Sequence, residues 1–339
     1  MAVSDPRAAR LALALGEAGL ALSCDGRIAV FGPRAGDDLS MLDRARVHII
    51  QGFRPDHDAF AAAGWTTGVA PDGRYAAVLV CLPRAKAAAR DLIAQAAEVT
   101  DGQLIVDGQK SEGIDSLLRE SRARADVSAP VSKGHGKLYW MATPGAAFAD
   151  WRAVPQQVEG GFVTLPGVFS ADGPDPGSRL LAEALPGRIG ARLADPGAGW
   201  GWLAAQLLEH DGVEEVHLIE TDHAALECAR RNISDSRARF HWADATRFRP
   251  DEPFDAVVMN PPFHTERAAT PELGVDFIAS AARMLAPQGT LWMVANRSLP
   301  YERALGAAFR DIAELAGDGR FKLFRAARPR PPSGARKRG

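Results

Sequence analysis

The chain has 339 residues, of which 46% are hydrophobic and 24% charged, and its net charge is -2. At ~150 residues per domain this is material for two soluble cores, and the near-neutral balance excludes a polycation, so any contact with nucleic acid must come from a local basic surface. Three scattered cysteines, Cys24, Cys81 and Cys228, exclude a disulfide framework and a zinc knuckle, and no apolar run approaches the ~18 residues of a membrane span; we expect a reduced, cytoplasmic, monomeric enzyme with no metal and no membrane contact.

The N-terminal stretch SDPRAARLALAL predicts a helix capped by Ser4 or Asp5, with Pro6 in its first turn. YAAVLVCLPRAK followed by DLIAQAAEVTDGQLIVDGQK then gives a buried strand, a proline-bearing turn, an alanine-rich helix, a glycine and a second apolar strand. The same order returns further on, as DAVVMNPPFH and DFIASAARMLAPQGTLWMVANR. Apolar strands alternating with amphipathic helices define α/β layering around a largely parallel sheet, and two such units predict tandem α/β domains. Aligning Ala77-Val78-Leu79-Val80 with Ala256-Val257-Val258-Met259 places Cys81 opposite Asn260, Leu82 opposite Pro261, Pro83 opposite Pro262 and Arg84 opposite Phe263. The first copy has lost the polar group and one proline, and reads as degenerate. Between the copies, SAPVSKGHGK, TPGAAFADW and LPGVFSADGPDPGS predict a linker with a short β-hairpin over roughly residues 121–178. The basic, proline-rich RAARPRPPSGARKRG predicts a disordered tail. The expected domains are therefore 1–150, degenerate; 160–327, catalytic; and a tail, 328–339.

In the second half, RLADPGAGWG runs an apolar strand into Asp195 and places Gly197, Gly199 and Gly201 ahead of the helix WLAAQLLEH. Glycines suit a strand that turns sharply into a helix while its backbone approaches a ligand. A dinucleotide site needs G-x-G-x-x-G, and position 202 is Trp, so the turn suits a ligand without phosphates, such as an amino-acid nucleoside. The next strand, EEVHLIE, ends at Glu220, beside Thr221, where a carboxylate accepts both ribose hydroxyls. RARFHWADA brings Asp244 to the adjacent strand tip, where it accepts from an adenine amino group while the backbone beside Ala245 reads the ring edge. Asp222 is either a further ligand or the cap of the helix HAALECARRN.

The most specific motif is Asn260-Pro261-Pro262-Phe263-His264, after the strand FDAVVM. An exocyclic amine or an amide nitrogen is a poor nucleophile because its lone pair is delocalised. Held by two acceptors, here the Asn260 side-chain carbonyl and the Pro261 backbone carbonyl, it directs lone-pair density at a methyl donor. Two prolines fix the carbonyl directions, and Phe263 offers a stacking face worth ~1–3 kcal/mol for a base. His264 either relays a proton or contacts substrate.

The second half resembles the bacterial small-subunit ribosomal RNA guanine-N2 methyltransferases of the C type. The likeness is carried by LPGVFSADGPDPGSRLL, DPGAGWG, the NPPFH turn, VANRSLPYERAL and GRFKLFRA. VLVCLPRAKAAARDLIA resembles the degenerate N-terminal domain of that family. The resemblance implies two tandem Rossmann-like methyltransferase domains with central, mostly parallel sheets, the first degenerate. It also implies methyl transfer from S-adenosyl-L-methionine to guanine N2 of ribosomal RNA, free or in the small ribosomal subunit. It places Asp195, Gly197, Ala198, Gly199 and Gly201 on the cofactor loop, Glu220 and Thr221 at the ribose, Asp244 and Ala245 at the adenine, and Asn260 to Phe263 on the catalytic turn. Pro196 and Ala198 depart from the family loop without steric conflict, and Trp200 is bulky for its place.

For phosphate contacts the candidate cations are Arg84, Lys86, Lys133, Lys137, Arg267, Arg297 and Lys322, with Phe263, His264, Arg267 and Lys322 nearest the substrate. Two rival readings stand. The same turn serves N-methylation of other RNA or DNA bases and of protein glutamine, and the fold also serves non-catalytic RNA-binding assembly factors.

Overall fold

The computed structural model describes residues 5–262, 264–265, 268–269, 271–315 and 317–331; Phe263 and Arg267 lie outside these, and of His264 only the backbone is described. The chain divides into two compact units, residues 1–155 with 165–167, and 156–164 with 168–339.

In the first unit α1 (Pro6–Gly16), β1 (Ile28–Phe31), β2 (Val47–Ile50), α2 (Arg54–Ala62), β3 (Thr66–Gly68), β4 (Tyr75–Cys81), α3 (Lys86–Val99), β5 (Thr100–Gln109), α4 (Ile114–Arg122), β6 (Val131–Lys133) and β7 (Gly136–Ala142) build a sheet of order β3-β2-β1-β4-β5-β7-β6. The second contains the short pair β8 (Gln156–Gln157) and β9 (Val163–Thr164), then α5 (Pro176–Ala184), β10 (Arg192–Pro196), α6 (Trp202–Leu208), β11 (Glu215–Glu220), α7 (His223–Asn232), β12 (Ala238–Trp242) and β13 (Phe254–Met259). It continues through the pair β14 (His264–Thr265) and β15 (Ala268–Ala269), α8 (Pro271–Met284), β16 (Leu285–Asn296), α9 (Glu302–Ala308), β17 (Phe309–Leu315) and β18 (Phe321–Pro329). Its sheet order, β12-β11-β10-β13-β16-β18-β17, repeats the first. In each sheet five strands run parallel, and β7 or β18 runs antiparallel between its neighbours. The central strands β4 and β13 are buried almost throughout, as strands with helices on both faces require.

The ladders register the two copies residue by residue. Ile28 pairs with Val47 and Ala77, and Leu193 pairs with Val216 and Ala256. The Arg27 guanidinium lies 5.1 Å from the Tyr75 ring and 3.3 Å from His48, and Arg192 lies 5.2 Å from Phe254 and 3.4 Å from His217. The duplication thus extends to an Arg–His–aromatic cluster, its His and aromatic members buried. In the same register Val30, Gln51 and Cys81 stand where the second unit carries Asp195, Glu220 and Asn260.

Two expectations change. The expected β-hairpin is present at residues 131–142, where β6 pairs with β7, but it belongs to the first sheet and not to a linker: β7 pairs Gly136 to Ala142 against Gln109 to Gln103 and leaves β6 at the edge. At the other end, β18 continues to Pro329, and Pro329 pairs with Phe309, so ladder pairing extends past residue 327 into the stretch read as a disordered tail.

Candidate active site

The second sheet reverses its winding between β10 and β13, and a ligand crevice forms outside the carboxyl ends of the strands at such a switch point. There the Gly197 N–H donates to the Ile219 carbonyl (2.8 Å), pulling the turn after β10 across the tip of β11. Gly199 has φ +56°, and a Cβ built on it would meet nothing within 4 Å, so the bare backbone faces open space. Gly201, φ +89°, presses against Ala229 and Ile233; there a side chain would push α6 away from α7.

A cleft opens beside this turn, lined among others by Asp175, Ser178, Asp195, Gly199, Trp200 and Asn260. Asp195 is 1% exposed, and its buried Oδ2 has no hydrogen-bond partner among the described residues. Burial, with Glu220 adding repulsion, pushes its carboxyl up to about 8, while the Ala204 N–H at the start of α6 pulls the other way. An orphaned buried acid oxygen is costly; with the open backbone at Gly199 it fits a polar, cationic ligand in the cleft.

Asn260 is oriented by two partners that sequence reasoning missed. Its Nδ2 donates to Asp175 Oδ1 (2.8 Å) and Ser178 Oγ (3.0 Å). With both amide hydrogens committed, the side-chain oxygen is the remaining acceptor, with no partner among the described residues. Asp175 also caps α5, its Oδ1 accepting from the backbone N–H groups of Gly177 and Ser178 at 2.8 and 3.1 Å. The available signal was DPGS itself, which repeats the Asp-Pro helix start of α1, where Asp5 accepts from the Arg7 N–H. Pro261 is buried and Pro262 exposed.

The other acids are placed differently. Glu220 turns inward: Oε2 accepts from the Gly199 N–H (2.7 Å), and Oε1 from the Thr221 and Asp222 N–H groups (2.7 and 2.8 Å) and the Thr221 hydroxyl (3.1 Å). Burial shifts its carboxyl upward. It braces the glycine turn, and Oε2, which accepts only the Gly199 N–H, keeps a further lone pair. Asp244 accepts from the Thr246 N–H and hydroxyl at 2.8 and 2.6 Å, and the Ala245 carbonyl accepts from Ser280 Oγ (2.6 Å). Asp222 caps α7. Trp200 does not stand free in the cleft: its indole N–H bonds the Phe169 and Ser170 carbonyls (3.1 and 3.2 Å), and its ring packs on Phe162.

Several expected RNA contacts are engaged elsewhere. Lys86 pairs with Glu120, Lys137 with Asp115, Arg297 with Glu314 and Lys322 with Glu302. Among the described residues there is no group of His, Cys, Asp and Glu that could hold a metal, and no helix long and apolar enough to cross a membrane.

In the first unit the corresponding tip is filled. Arg7, in the place of Gly177, donates to Asp107 (2.7 Å) and to Asp37. Arg10, fully buried, bonds both Asp107 oxygens at 2.6 and 2.9 Å. Cys81, in the place of Asn260, is a neutral thiol pushed up to about 12 chiefly by burial.

A doubly wound sheet of this order, with an acid and a glycine turn after its first strand and an Asn-Pro-Pro corner after its fourth, defines a methyltransferase. The methyltransferase small domain family matches residues 159–325. Ribosomal RNA small subunit methyltransferase C of Shewanella sp. strain MR-4 is 30% identical over 268 residues, covering 74% of this chain and 77% of the relative. The protein of that name from Hahella chejuensis is 31% identical over 231 residues, covering 65% and 68%. The solved 16S rRNA guanine-N2 methyltransferase of T. thermophilus, in complex with AdoMet and guanosine, superposes with a TM-score of 0.76 at 25% identity, covering 91% of this chain and 90% of that one. The chain belongs to the ribosomal RNA small subunit methyltransferase C family.

Proposed function

We propose that the second unit transfers a methyl group from S-adenosyl-L-methionine to the exocyclic N2 of a guanine in 16S ribosomal RNA, and that the protein acts as a cytoplasmic monomer. The observation that carries this reading is the tethered Asn260: Asp175 and Ser178 hold its amide nitrogen, so its oxygen, without a partner among the described residues, is left as an acceptor beside the cleft that Asp195 lines. The Asn260 oxygen and the Pro261 carbonyl receive the two amine hydrogens and turn the lone pair outward, which makes catalysis mainly positioning. The bound cofactor supplies an electrophilic sulfonium methyl. Asp195, Gly197, Ala198, Gly199 and Gly201 hold it on the β10 turn, with Glu220 and Thr221 at the ribose and Asp244 and Ala245 at the adenine. The methyl would come from the sulfonium, whose S–C bond would break to leave a neutral thioether, and the nitrogen sheds a proton to solvent; no dedicated base is assigned. Phe263 and His264 flank the base, and Arg267 and Lys322 serve its phosphates, Lys322 after release from Glu302.

The test is methylation with labelled cofactor of naked 16S rRNA, assembled small subunits and a peptide release factor, with mass-spectrometric mapping of the product. Label at guanine N2 is expected. Label on adenine N6 or on glutamine overturns the substrate assignment, and no cofactor binding by calorimetry would mean an assembly factor on a methyltransferase fold.

A further inference from the structure

At the far edge of the second sheet, one groove is lined by Arg249, Arg283, Arg310, Arg328 and Arg330. They come from the loop before β13, the end of α8, the start of β17 and the end of β18. All of these lie at the amino-terminal edge of the parallel strands, whereas Asn260 follows the carboxyl end of β13. Phe254 pairs with Leu285 and Met259 with Met293, so over the five steps of β13, at ~3.3 Å per residue, the two edges are roughly 16 Å apart.

All five arginines are exposed. Arg328 pairs with Asp311. Arg249 donates to the Arg247 and Phe248 carbonyls, Arg283 to Thr246 and Arg330 to Phe309, at 2.7 to 3.1 Å. Those carbonyl bonds fix the guanidiniums in direction but cancel no charge. The Arg310 side chain is hydrogen-bonded to none of the described residues and feels Asp311 only at longer range. The acids facing the cluster are Asp311 and, further off, Asp276. Arg283 titrates lower than an ordinary arginine, first through burial and then through repulsion from Arg249. Gathering like charges opposes folding, and a polyanion relieves that repulsion. The guanidinium fork matches phosphate oxygens in geometry, and nucleic-acid backbones present such charges in closely spaced series.

We infer that this arginine groove docks the phosphodiester backbone of the RNA substrate at a second point, on the opposite edge of the sheet from the catalytic cleft. The choice of RNA among polyanions rests on the function proposed above; the charge of the groove does not.

The experiment measures binding of a 16S rRNA transcript to the full chain between about 50 and 200 mM salt, together with steady-state methylation. In Arg249→Gln/Arg283→Gln/Arg310→Gln, the loss of three phosphate contacts lowers the slope of log K against log salt by about 2 to 3. The KM for RNA rises at least tenfold, with kcat at saturating RNA and cofactor affinity unchanged. Arg310→Glu, which removes no described hydrogen bond, shifts slope and KM in the same direction and guards against a folding artefact. If both variants keep the wild-type slope and KM while RNA is methylated, the groove assignment falls alone. If wild-type protein binds RNA through the groove but methylates glutamine, the proposed function falls alone. If wild-type protein neither binds nor methylates RNA, both fall.

Discussion

Asp175 offers the sharpest test of how the catalytic corner is held. Its Oδ1 accepts three hydrogen bonds, from the Asn260 amide (2.8 Å) and from the Gly177 and Ser178 N–H groups (2.8 and 3.1 Å). Asp175→Ala removes a helix cap, worth ~1 kcal/mol of stability, or about 2–4 °C in Tm for a domain of this size. It also frees Asn260 to rotate. A hydrogen bond to a carboxylate is worth ~1.5–3 kcal/mol; expressed as lost orientation in the transition state, at ~1.36 kcal/mol per tenfold, this lowers kcat by about 10- to 100-fold. Asp175→Ser separates the two roles, because serine caps a helix nearly as well and carries no carboxylate for Asn260. Its Tm is expected to stay near wild type while kcat falls as in the alanine variant and cofactor Kd holds. Ser178→Ala removes the second tether, and the double variant should be non-additive, since both act through one amide. A wild-type kcat in Asp175→Ser would refute the positioning role; an equal loss of kcat and cofactor affinity would show that Asp175 serves the cofactor instead.

Asn260→Ala should abolish turnover with cofactor affinity nearly unchanged by calorimetry; loss of cofactor binding would mean the turn is misassigned. Gly199→Ala forces a side chain into a left-handed conformation at ~1–2 kcal/mol and aims it at the open space beside the turn, so cofactor Kd should rise at least tenfold in titration while the protein remains folded. Asp195 sits at about 8 against an ordinary 3.8, so it favours the folded state in full below pH 3.8 and loses that contribution as pH rises toward 8. His241, held down to about 4 first by burial and then by His217, works in the opposite sense: its contribution is full above pH 6.5 and is lost as pH falls toward 4. Between pH 6.5 and 8 only the Asp195 slope remains of the two, so Asp195→Asn should flatten the fall of Tm over that window; an unchanged profile rejects the assignment. Calorimetry on the whole chain should give one cofactor equivalent, and two equivalents would contradict the filled tip of the first unit.

The duplicated architecture was legible because buried parallel strands carry near-continuous apolar runs, and VLVC and VVMN announce both central strands. The meeting of Asp195 with Asn260 follows from that order, since the strands that bear them adjoin at the switch point. Glu220 was found as an acid at a strand tip, but its inward turn was not, because it depends on where the N–H groups of Gly199, Thr221 and Asp222 converge. The tether on Asn260 was missed because DPGS reads locally as a turn, and only tertiary structure brings α5 against the β13 corner. Lys86, Lys137, Arg297 and Lys322 looked available because their acidic partners lie 17 to 34 residues away in the chain or on other elements. The arginine groove was illegible for the converse reason: its members are scattered from residue 249 to residue 330.

Comparison of the two sheet tips shows what one copy gave up. Both have the same strand order and a helix that starts with Asp-Pro. In the second unit Gly177 and Val294 pack closely at the corner, and the acid Asp195 keeps an oxygen with no hydrogen-bond partner among the described residues. In the first, Val30 replaces that acid, and Arg7 and Asp107 stand where Gly177 and Val294 stood, joined by Arg10 into a buried cluster. Such clusters add little net stability over apolar packing, yet breaking one costs ~3–5 kcal/mol because a charge is stranded. The first unit therefore cannot regain a ligand site by a single change at Cys81: Asp107 would also have to go, and two buried guanidiniums with it. At its tip the first unit's Arg7, Arg10 and Asp107 satisfy one another, whereas Asp195 at the second tip keeps an oxygen with no partner among the described residues, which is why the proposed methyl transfer is assigned to the second unit.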